Sequence, residues 1–246
     1  MAEEKVVVKN LTKSFGDLLV LDDISFSVKK GEFLCIVGPT GCGKTTFLNS
    51  LSKIIDIDKG SILLDGEPVN PKKHDLAYIL QEYSAFPWLN VEQNVAYGLK
   101  IKGVDKETIS QRVEETLKMV NLVDFRKAYP RELSASMLQR LSIARSFATQ
   151  PDLLLMDEPY GQLDLNLKYK LEDELLNLWE KTKTTVIFIT HNIEEAVYLS
   201  DRVLVLTNKP THVKTEIKND LPRPRNVSDK GFVYLRNQIT DLIRWW

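Results

Sequence analysis

The stretch Gly38-Pro39-Thr40-Gly41-Cys42-Gly43-Lys44-Thr45-Thr46 constrains this chain more than any other. It follows the apolar run Phe33-Leu34-Cys35-Ile36-Val37 and precedes residues at helical spacing, namely Phe47, Leu48, Leu51, Ile54 and Ile55. A glycine-rich loop between strand and helix, closing in Lys-Thr, lets successive backbone N–H groups converge on phosphate oxygens. The start of the helix adds partial positive charge. Lys44 has the reach for β- and γ-phosphates, and the Thr45 hydroxyl suits Mg²⁺. A glycine-rich turn with an incidental lysine would need neither the strand before it nor the helix after it. On these residues the chain reads as nucleotide-binding.

The bulk properties narrow the setting. A chain of 246 residues can bury a sizeable core, as one large domain or one domain with a lobe. A formal net charge of −1 supplies no basic field for nucleic acid or anionic lipid. Its two cysteines, Cys35 in the strand-like run and Cys42 inside the loop, suggest no disulfide, as expected of a reducing cytosol. The start, Met1-Ala2-Glu3-Glu4-Lys5, is charged, so no secretory signal is expected. The longest apolar runs, such as Val186-Ile187-Phe188-Ile189, are too short for a bilayer span. Any membrane role is expected to pass through a partner.

Strand-like runs fill the first part of the chain: Val6-Val7-Val8, Leu19-Val20-Leu21, Ile24–Val28 and Phe33–Val37. Turn signals lie at Phe15-Gly16-Asp17 and Lys29-Lys30-Gly31, and Asp65-Gly66 marks a hairpin between Ile62–Leu64 and Val69. From about Asn90 to Gln150 the period turns helical, with Val91, Val95, Leu99 and then Ile109, Val113, Leu117, Val120. Strand and helix then alternate: Leu153–Met156, about Leu165–Thr182, Thr185–Thr190, Ile193–Ser200 and Arg202–Leu206. Such alternation predicts a parallel sheet whose active edge is at the strand C-termini, with the helical block inserted as a lobe. Leu221-Pro222-Arg223-Pro224-Arg225 reads as a stiff connector. Ser228 is expected to cap a final helix with Phe232, Leu235, Ile239, Leu242 and Ile243 on its apolar face, packed back on the body, with a dimer or membrane-subunit contact through Trp245-Trp246 as the alternative.

Several strand ends carry chemistry. Leu153-Leu154-Leu155-Met156 runs into Asp157-Glu158-Pro159. A carboxylate at such a tip can hold Mg²⁺ through its water shell, and the next can polarise a water against a γ-phosphate. Taken alone, the same residues also describe a buried strand with an acidic turn. Thr190-His191 ends another strand, and Gln81 closes Ala77-Tyr78-Ile79-Leu80 with a neutral amide able to touch Mg²⁺ or the attacking water. Phe15, before Gly16-Asp17, offers a face for adenine. Either of the last two, in isolation, reads as structural rather than functional.

Together the order and spacing resemble the nucleotide-binding subunits of ATP-binding-cassette transporters, from about residue 5 to 225. Phe15 falls at the adenine-stacking aromatic, residues 38–46 at Walker A, Gln81 at the Q-loop, and Leu133–Met137 at the signature. Leu153–Glu158 matches Walker B, Leu163-Asp164 the D-loop, and His191 the switch histidine. Phe86-Pro87-Trp88-Leu89-Asn90-Val91 and Leu221–Arg225 resemble the nitrate/taurine-type importers, which take up nitrate, alkanesulfonates, cyanate-like anions or vitamin precursors. The resemblance implies an α/β fold: a RecA-like P-loop core with an N-terminal antiparallel β subdomain and an inserted helical subdomain. The core would span 1–90 and 151–220, the helical part 91–150, and a tail helix 221–246. It implies ATP and Mg²⁺ as cofactors. ATP would bind through Phe15 and Gly38, Pro39, Thr40, Gly41, Cys42, Gly43, Lys44, Thr45 and Thr46. Glu158, His191 and Gln81 would be catalytic, and Thr45, Gln81 and Asp157 would hold the metal. Ser134, Ala135, Ser136 and Met137 would face the ATP of a second cassette, homologous or identical, beside Asp164. The groove near Gln81 and the helical lobe would pass motion to an integral membrane permease. An extracytoplasmic solute-binding protein would complete the complex, nucleic acid would play no part, and the chain would sit at the cytoplasmic membrane face.

The signature departs from the family's L-S-G-G-Q or L-S-G-G-M, because Ala135 and Ser136 replace both glycines. If either position needs positive φ, a side chain costs about 1–2 kcal/mol. In a first helical turn that strain disappears and only steric room matters. Leu138, Gly161-Gln162 and Asn192 also depart from the usual residues. A cassette that binds ATP but hydrolyses it weakly is therefore an alternative. A soluble cassette acting on DNA or ribosomes is another, opposed by the charge balance.

Overall fold

The computed structural model describes residues 3–161, 163 and 165–243. Contacts divide it into two compact units, Met1–His74 with Thr185–Trp246, and Asp75–Thr184.

The first unit opens with a hairpin, β1 (Glu4–Phe15) and β2 (Leu18–Lys29). Leu19–Leu21 and Ile24–Val28, which read as separate runs, belong to one strand. Asp23, at φ 52, interrupts the alternation between them. Opposite it Asn10 also has positive φ (50), and its amide donates to Asp23 Oδ1 at 2.7 Å. Asn and Asp are the side-chain-bearing residues that accept this left-handed backbone most readily. β3 (Phe33–Val37) is buried at every residue, followed by α1 (Lys44–Leu51). β4 (Lys59–Leu64) and β5 (Glu67–Pro68) flank Asp65-Gly66, both at positive φ as a tight hairpin requires. These strands form an antiparallel sheet in the order β2-β1-β4-β5.

The second unit pairs β6 (Leu76–Ile79) in parallel with β7 (Leu153–Asp157), matching Leu76 to Leu153 and Ile79 to Met156. The chain between them is helical: α2 (Val91–Ile101), α3 (Lys106–Met119) and α4 (Ala135–Ala148), with α5 (Leu165–Thr182) after β7. α2 starts where Asn90 and Gln93 cap each other reciprocally, at 2.9 and 3.0 Å.

The chain returns to the first unit through β8 (Thr185–Thr190), α6 (Ile193–Leu199), β9 (Arg202–Leu206), β10 (Val213–Lys218) and α7 (Lys230–Ile243). β9, β3 and β8 run parallel in that spatial order, and β10 adds an antiparallel edge to β9. No strand is expected at β10 in the sequence analysis, although Val213, Thr215 and Ile217 alternate there with charged residues on a half-buried edge. α7 begins after Asp229, one residue later than a cap at Ser228 would place it, and buries Phe232, Leu235 and Ile239. The fold is thus α/β, combining an antiparallel sheet with parallel strands flanked by helices.

In the second unit Asn94 organises the approach to α2. It is 1% exposed, accepts from the Phe86 N–H at 2.8 Å, and donates to the carbonyls of Phe86 (3.1 Å), Leu89 (2.9 Å) and Asn90 (3.1 Å). Asn94→Ala removes four hydrogen bonds; the Phe86 and Asn90 carbonyls keep the Leu89 and Asn94 N–H groups, whereas the Phe86 N–H and the Leu89 carbonyl lose this partner, so urea denaturation should show a loss of about 2–4 kcal/mol. A loss below about 0.5 kcal/mol would show that the loop does not rely on it.

Candidate active site

The phosphate loop lies between β3 and α1 in the first unit. Gly43 precedes α1 with φ 114, and a Cβ there would meet Val20 Cγ1 at 2.8 Å. Gly38 is held by crowding instead: its Cβ would meet Cys42 Sγ and Leu206 Cβ, each at 3.1 Å. The Lys44 ammonium donates to the carbonyls of Gly38 (3.0 Å) and Pro39 (3.1 Å), keeping a 5% exposed lysine folded against its own loop. Thr211, fully buried, donates its hydroxyl to the Cys42 carbonyl and ties the loop to the chain before β10. α1 has no side-chain cap and no acid in its first turn, so its opening N–H groups and positive dipole end favour an anion. Thr45 is exposed on that first turn. Burial pushes the Cys42 and Cys35 thiols above their ordinary range, which keeps both protonated and unreactive.

The register of the parallel strands places a second group at this edge. Val37, the last residue of β3, pairs with Thr190, the last of β8. The phosphate loop and His191 therefore leave neighbouring strands at the same end. His191 is exposed, while Thr190 Oγ1 accepts from the Asn192 N–H at 3.0 Å and Asn192 Oδ1 caps α6 through the Glu195 N–H at 3.1 Å. At the hairpin tip of β1 and β2, Phe15 is 50% exposed. Lys13 Nζ stands 5.4 Å from its ring centroid and pairs with Asp58 at 3.0 Å, leaving the other face for a stacked base. Asp58 also accepts from the Ser14 N–H at 2.6 Å, and that bond together with Lys13 lowers its pKa.

The second unit repeats this logic. Pairing of Ile79 with Met156 brings Gln81 and the Asp157-Glu158 pair off adjacent parallel strands at one end. Asp157 is 5% exposed, with the Tyr78 hydroxyl 3.5 Å from its Oδ2. Burial and the Asp157 charge raise the Tyr78 pKa far above the phenol range, so Tyr78 stays a donor. Glu158 has φ 44, a left-handed backbone that costs a non-glycine residue about 1–2 kcal/mol. Such strain, held by its surroundings, is typical of functional positions. Gln81 is exposed on the following loop.

Ser134 caps α4, its Oγ accepting from the Met137 N–H at 3.4 Å. Ala135 and Ser136 are the first residues of that helix and lie outside the left-handed region. The loss of both glycines thus carries no backbone strain. The Ser136 hydroxyl instead pairs with that of Ser134 at 3.0 Å. Asp164 and Gln162 lie outside the described residues, as do Trp245 and Trp246.

The second unit also holds a cavity whose lining the motifs alone did not reveal. A cavity of about 180 Å³ is lined by Tyr78, Ser84, Asn94, Tyr97, Ser142 and Arg145, among others. The Arg145 guanidinium lies 4.5 Å from the Phe86 ring centroid and donates to the Ser84 carbonyl. Phe86 packs against Tyr97 at 4.5 Å and Trp88 at 5.5 Å, and Trp88 is 69% exposed. Arg145 lies 61 residues beyond Ser84, so nothing local in the sequence marks it as a partner of this aromatic run and only packing pairs them.

Residues 21–161 match the ABC transporter family. Over 244 residues the chain is 42% identical to an uncharacterized ABC transporter ATP-binding protein of Methanocaldococcus jannaschii, covering 98% of this chain and 91% of that protein. It is 41% identical over 233 residues to the aliphatic sulfonates import ATP-binding protein SsuB of Bacillus thuringiensis, covering 95% and 92% of the two chains. Among solved structures, a dimeric ATP-binding cassette in a post-hydrolysis state with ADP and Pi superposes with TM-score 0.76 at 29% identity, over 88% of this chain and 100% of that one. A Clostridium perfringens chain that is part of an ABC transporter complex shares the fold, with TM-score 0.82 at 23% identity over 98% of this chain and 97% of that one. Phosphate loop, strand-end carboxylates and these relatives agree: the chain belongs to the ABC transporter family, as an ATP-binding and ATP-hydrolysing cassette.

Proposed function

We propose that this cassette drives uptake of a small anionic solute, of the sulfonate class, through a separate membrane permease. The observation carrying its catalytic part is the strand register, which brings the phosphate loop and His191 to one end of β3 and β8. The same register in the second unit brings Gln81 and Asp157-Glu158 to one end of β6 and β7. The solute class rests on the sulfonate-import relatives, alike over 95% of this chain. None of the helices among the described residues is long and apolar enough to cross a membrane, so a separate pore subunit is part of the reading. Its site would be the cytoplasmic membrane face, with an extracytoplasmic solute-binding protein as a further component.

The donor set fits ATP and Mg²⁺. Glycine is required at Gly43, where a Cβ would collide with Val20, and the uncapped α1 start supplies N–H donors. Mg²⁺ demands few protein ligands because it keeps waters and shares substrate phosphate oxygens; Thr45 of the first unit, and Asp157 and Gln81 of the second, are each oxygen donors of the kind it takes. When bound, the ion neutralises charge developing on the β- and γ-phosphates. Gly38 to Thr46 bind the phosphates, Lys44 places its ammonium on the β/γ pair, and Phe15 stacks on the base. Glu158 accepts hydrogen bonds from the attacking water and orients it in line. His191 donates to the γ-phosphate and Gln81 senses it. Ser134 and its neighbours Ala135, Ser136 and Met137 meet the γ-phosphate of a second cassette, with Asp164 beside them. The exposed Trp88 and the Phe86–Arg145 stack form the surface on which the permease rests. The helical placement of Ala135 and Ser136 favours a working ATPase over a weakly hydrolysing one.

Glu158→Gln, in the chain co-expressed with its permease, should lower ATP turnover about 10²–10⁴-fold with ATP binding retained. Equal turnover in the variant would remove Glu158 from the chemistry. Ala135→Gly with Ser136→Gly should change turnover by less than about tenfold, since no strain near 1.4 kcal/mol is relieved. A larger rise in steady-state phosphate release would mean the signature limits the enzyme. Trp88→Ala should weaken permease co-purification by about 1–3 kcal/mol in affinity, as loss of a central aromatic anchor does. Undiminished co-purification would move the docking surface elsewhere.

A further inference from the structure

α6 spans only Ile193–Leu199 and stands directly after His191-Asn192. A helix of seven residues has little stability of its own, and its last four carbonyls have no partner inside it. Those four belong to Val197, Tyr198, Leu199 and Ser200, and all are taken by chain some twenty or more residues onward. Arg225 Nη1 donates to Val197 (2.8 Å), Tyr198 (2.9 Å) and Ser200 (2.7 Å). Arg223 Nη2 donates to Leu199, and its Nη1 pairs with Asp201 at 2.6 Å. Asn219 Nδ2 donates to Val197 (2.8 Å) and Ser200 (3.1 Å). Arg225 and Asn219 are 7% and 6% exposed, so these bonds are shielded from water. Arg225 further donates through Nε and Nη2 to the Leu221 carbonyl, both at 3.2 Å, which folds the connector onto the helix end. Two guanidinium groups thus sit at the negative end of the α6 dipole. At the other end, Arg236 of α7 pairs with Glu194 at 3.3 Å.

Most helices end on a local glycine or on water-exposed carbonyls, and need no distant cap. Here the orientation of α6 is set from outside. His191 is the joint between β8, fixed in the sheet through the Val37–Thr190 pairing, and this braced helix. His191 joins α6 through the capping residue Asn192, so a shift of the helix is passed to His191, whereas β3 and the phosphate loop are held by the sheet.

We propose that Arg225 and Asn219 are positioning residues for His191, holding it where it engages the γ-phosphate. The inference rests on the role given to His191 under the proposed function. The Leu221–Arg225 segment is then part of the hydrolytic apparatus, acting through α6 without touching nucleotide. A displacement near 1 Å suffices to lower a rate about a hundredfold, so the effect falls on turnover.

The test compares ATP turnover of the permease-assembled cassette carrying Arg225→Met, Arg225→Lys, Asn219→Ala, His191→Ala, and Arg225→Met combined with His191→Ala. Arg225→Met is expected to lower kcat about 10–100-fold with KM for ATP within about twofold. Arg225→Lys should recover part of that loss, since an ammonium reaches these carbonyls but not with a planar fork. In the His191→Ala background Arg225→Met should lower kcat further by less than about twofold. Should Arg225→Met fail to accumulate as folded protein, Asn219→Ala carries the test alone and must show a kcat fall with unchanged KM. Full multiplication of the two losses in the double variant, or an Asn219→Ala enzyme of normal kcat, would overturn the positioning role alone. A His191→Ala enzyme of normal kcat would overturn the histidine's role itself and the inference with it.

Discussion

Every helix leaves four amide hydrogens at its start and four carbonyls at its end without internal partners, and the site depends on how these are satisfied. α2, α3, α4 and α6 close their starts with side chains from Asn90, Asp105, Ser134 and Asn192. α1 starts from Gly43, which has no side chain to offer and whose φ of 114 turns the loop back on itself. Its N–H groups stay available for phosphate, and the dipole that capping acids would otherwise meet remains directed at an anion. Val20 and Leu21 close the space over Gly43, so the hairpin of the antiparallel sheet enforces the glycine. The same accounting at the far end of α6 brings in Arg223, Arg225 and Asn219, and ties the connector to the helix that follows His191.

Parallel pairing does the second part of the work. A parallel register aligns strand ends, so residues far apart in sequence emerge together. Val37 beside Thr190 and Ile79 beside Met156 each bring two candidate site segments to one edge. Asp157 stays nearly buried at such an end, and Glu158 turns through a left-handed backbone just after it. Local strain there is tolerated because β7 is fully buried and cannot slide to relieve it.

The signature shows how position decides the meaning of a substitution. Glycine lost at a positive-φ position would be a structural defect, whereas in the first turn of α4 an alanine and a serine are ordinary helix residues. Ser136 adds a hydroxyl next to that of Ser134. The departure changes the chemistry of the helix start and leaves its backbone alone.

Sequence alone determined what depends on neighbours along the chain. The phosphate loop shows its glycines, its lysine and the flanking strand and helix. The α2 and α3 stretch shows its period in Val91, Val95, Leu99, Ile109, Val113 and Leu117, and the hairpin at Asp65-Gly66 shows its turn chemistry. Tertiary structure alone decided what depends on partners far away. Asp23 merges two apparent strands into one because Asn10 faces it across the hairpin. β10 takes its pairing from the edge of β9, although the alternation of Val213, Thr215 and Ile217 with charged residues was itself a legible strand signal. Arg145 stacks on Phe86, Lys13 on Phe15, and Arg225 reaches carbonyls 25 to 28 residues earlier. Arginine and lysine in sequence look like surface charges, since their long stems hide where the head group will land. Periodicity and turn chemistry are encoded over a few residues, whereas a hydrogen bond or cation–π contact exists only once packing has fixed both partners.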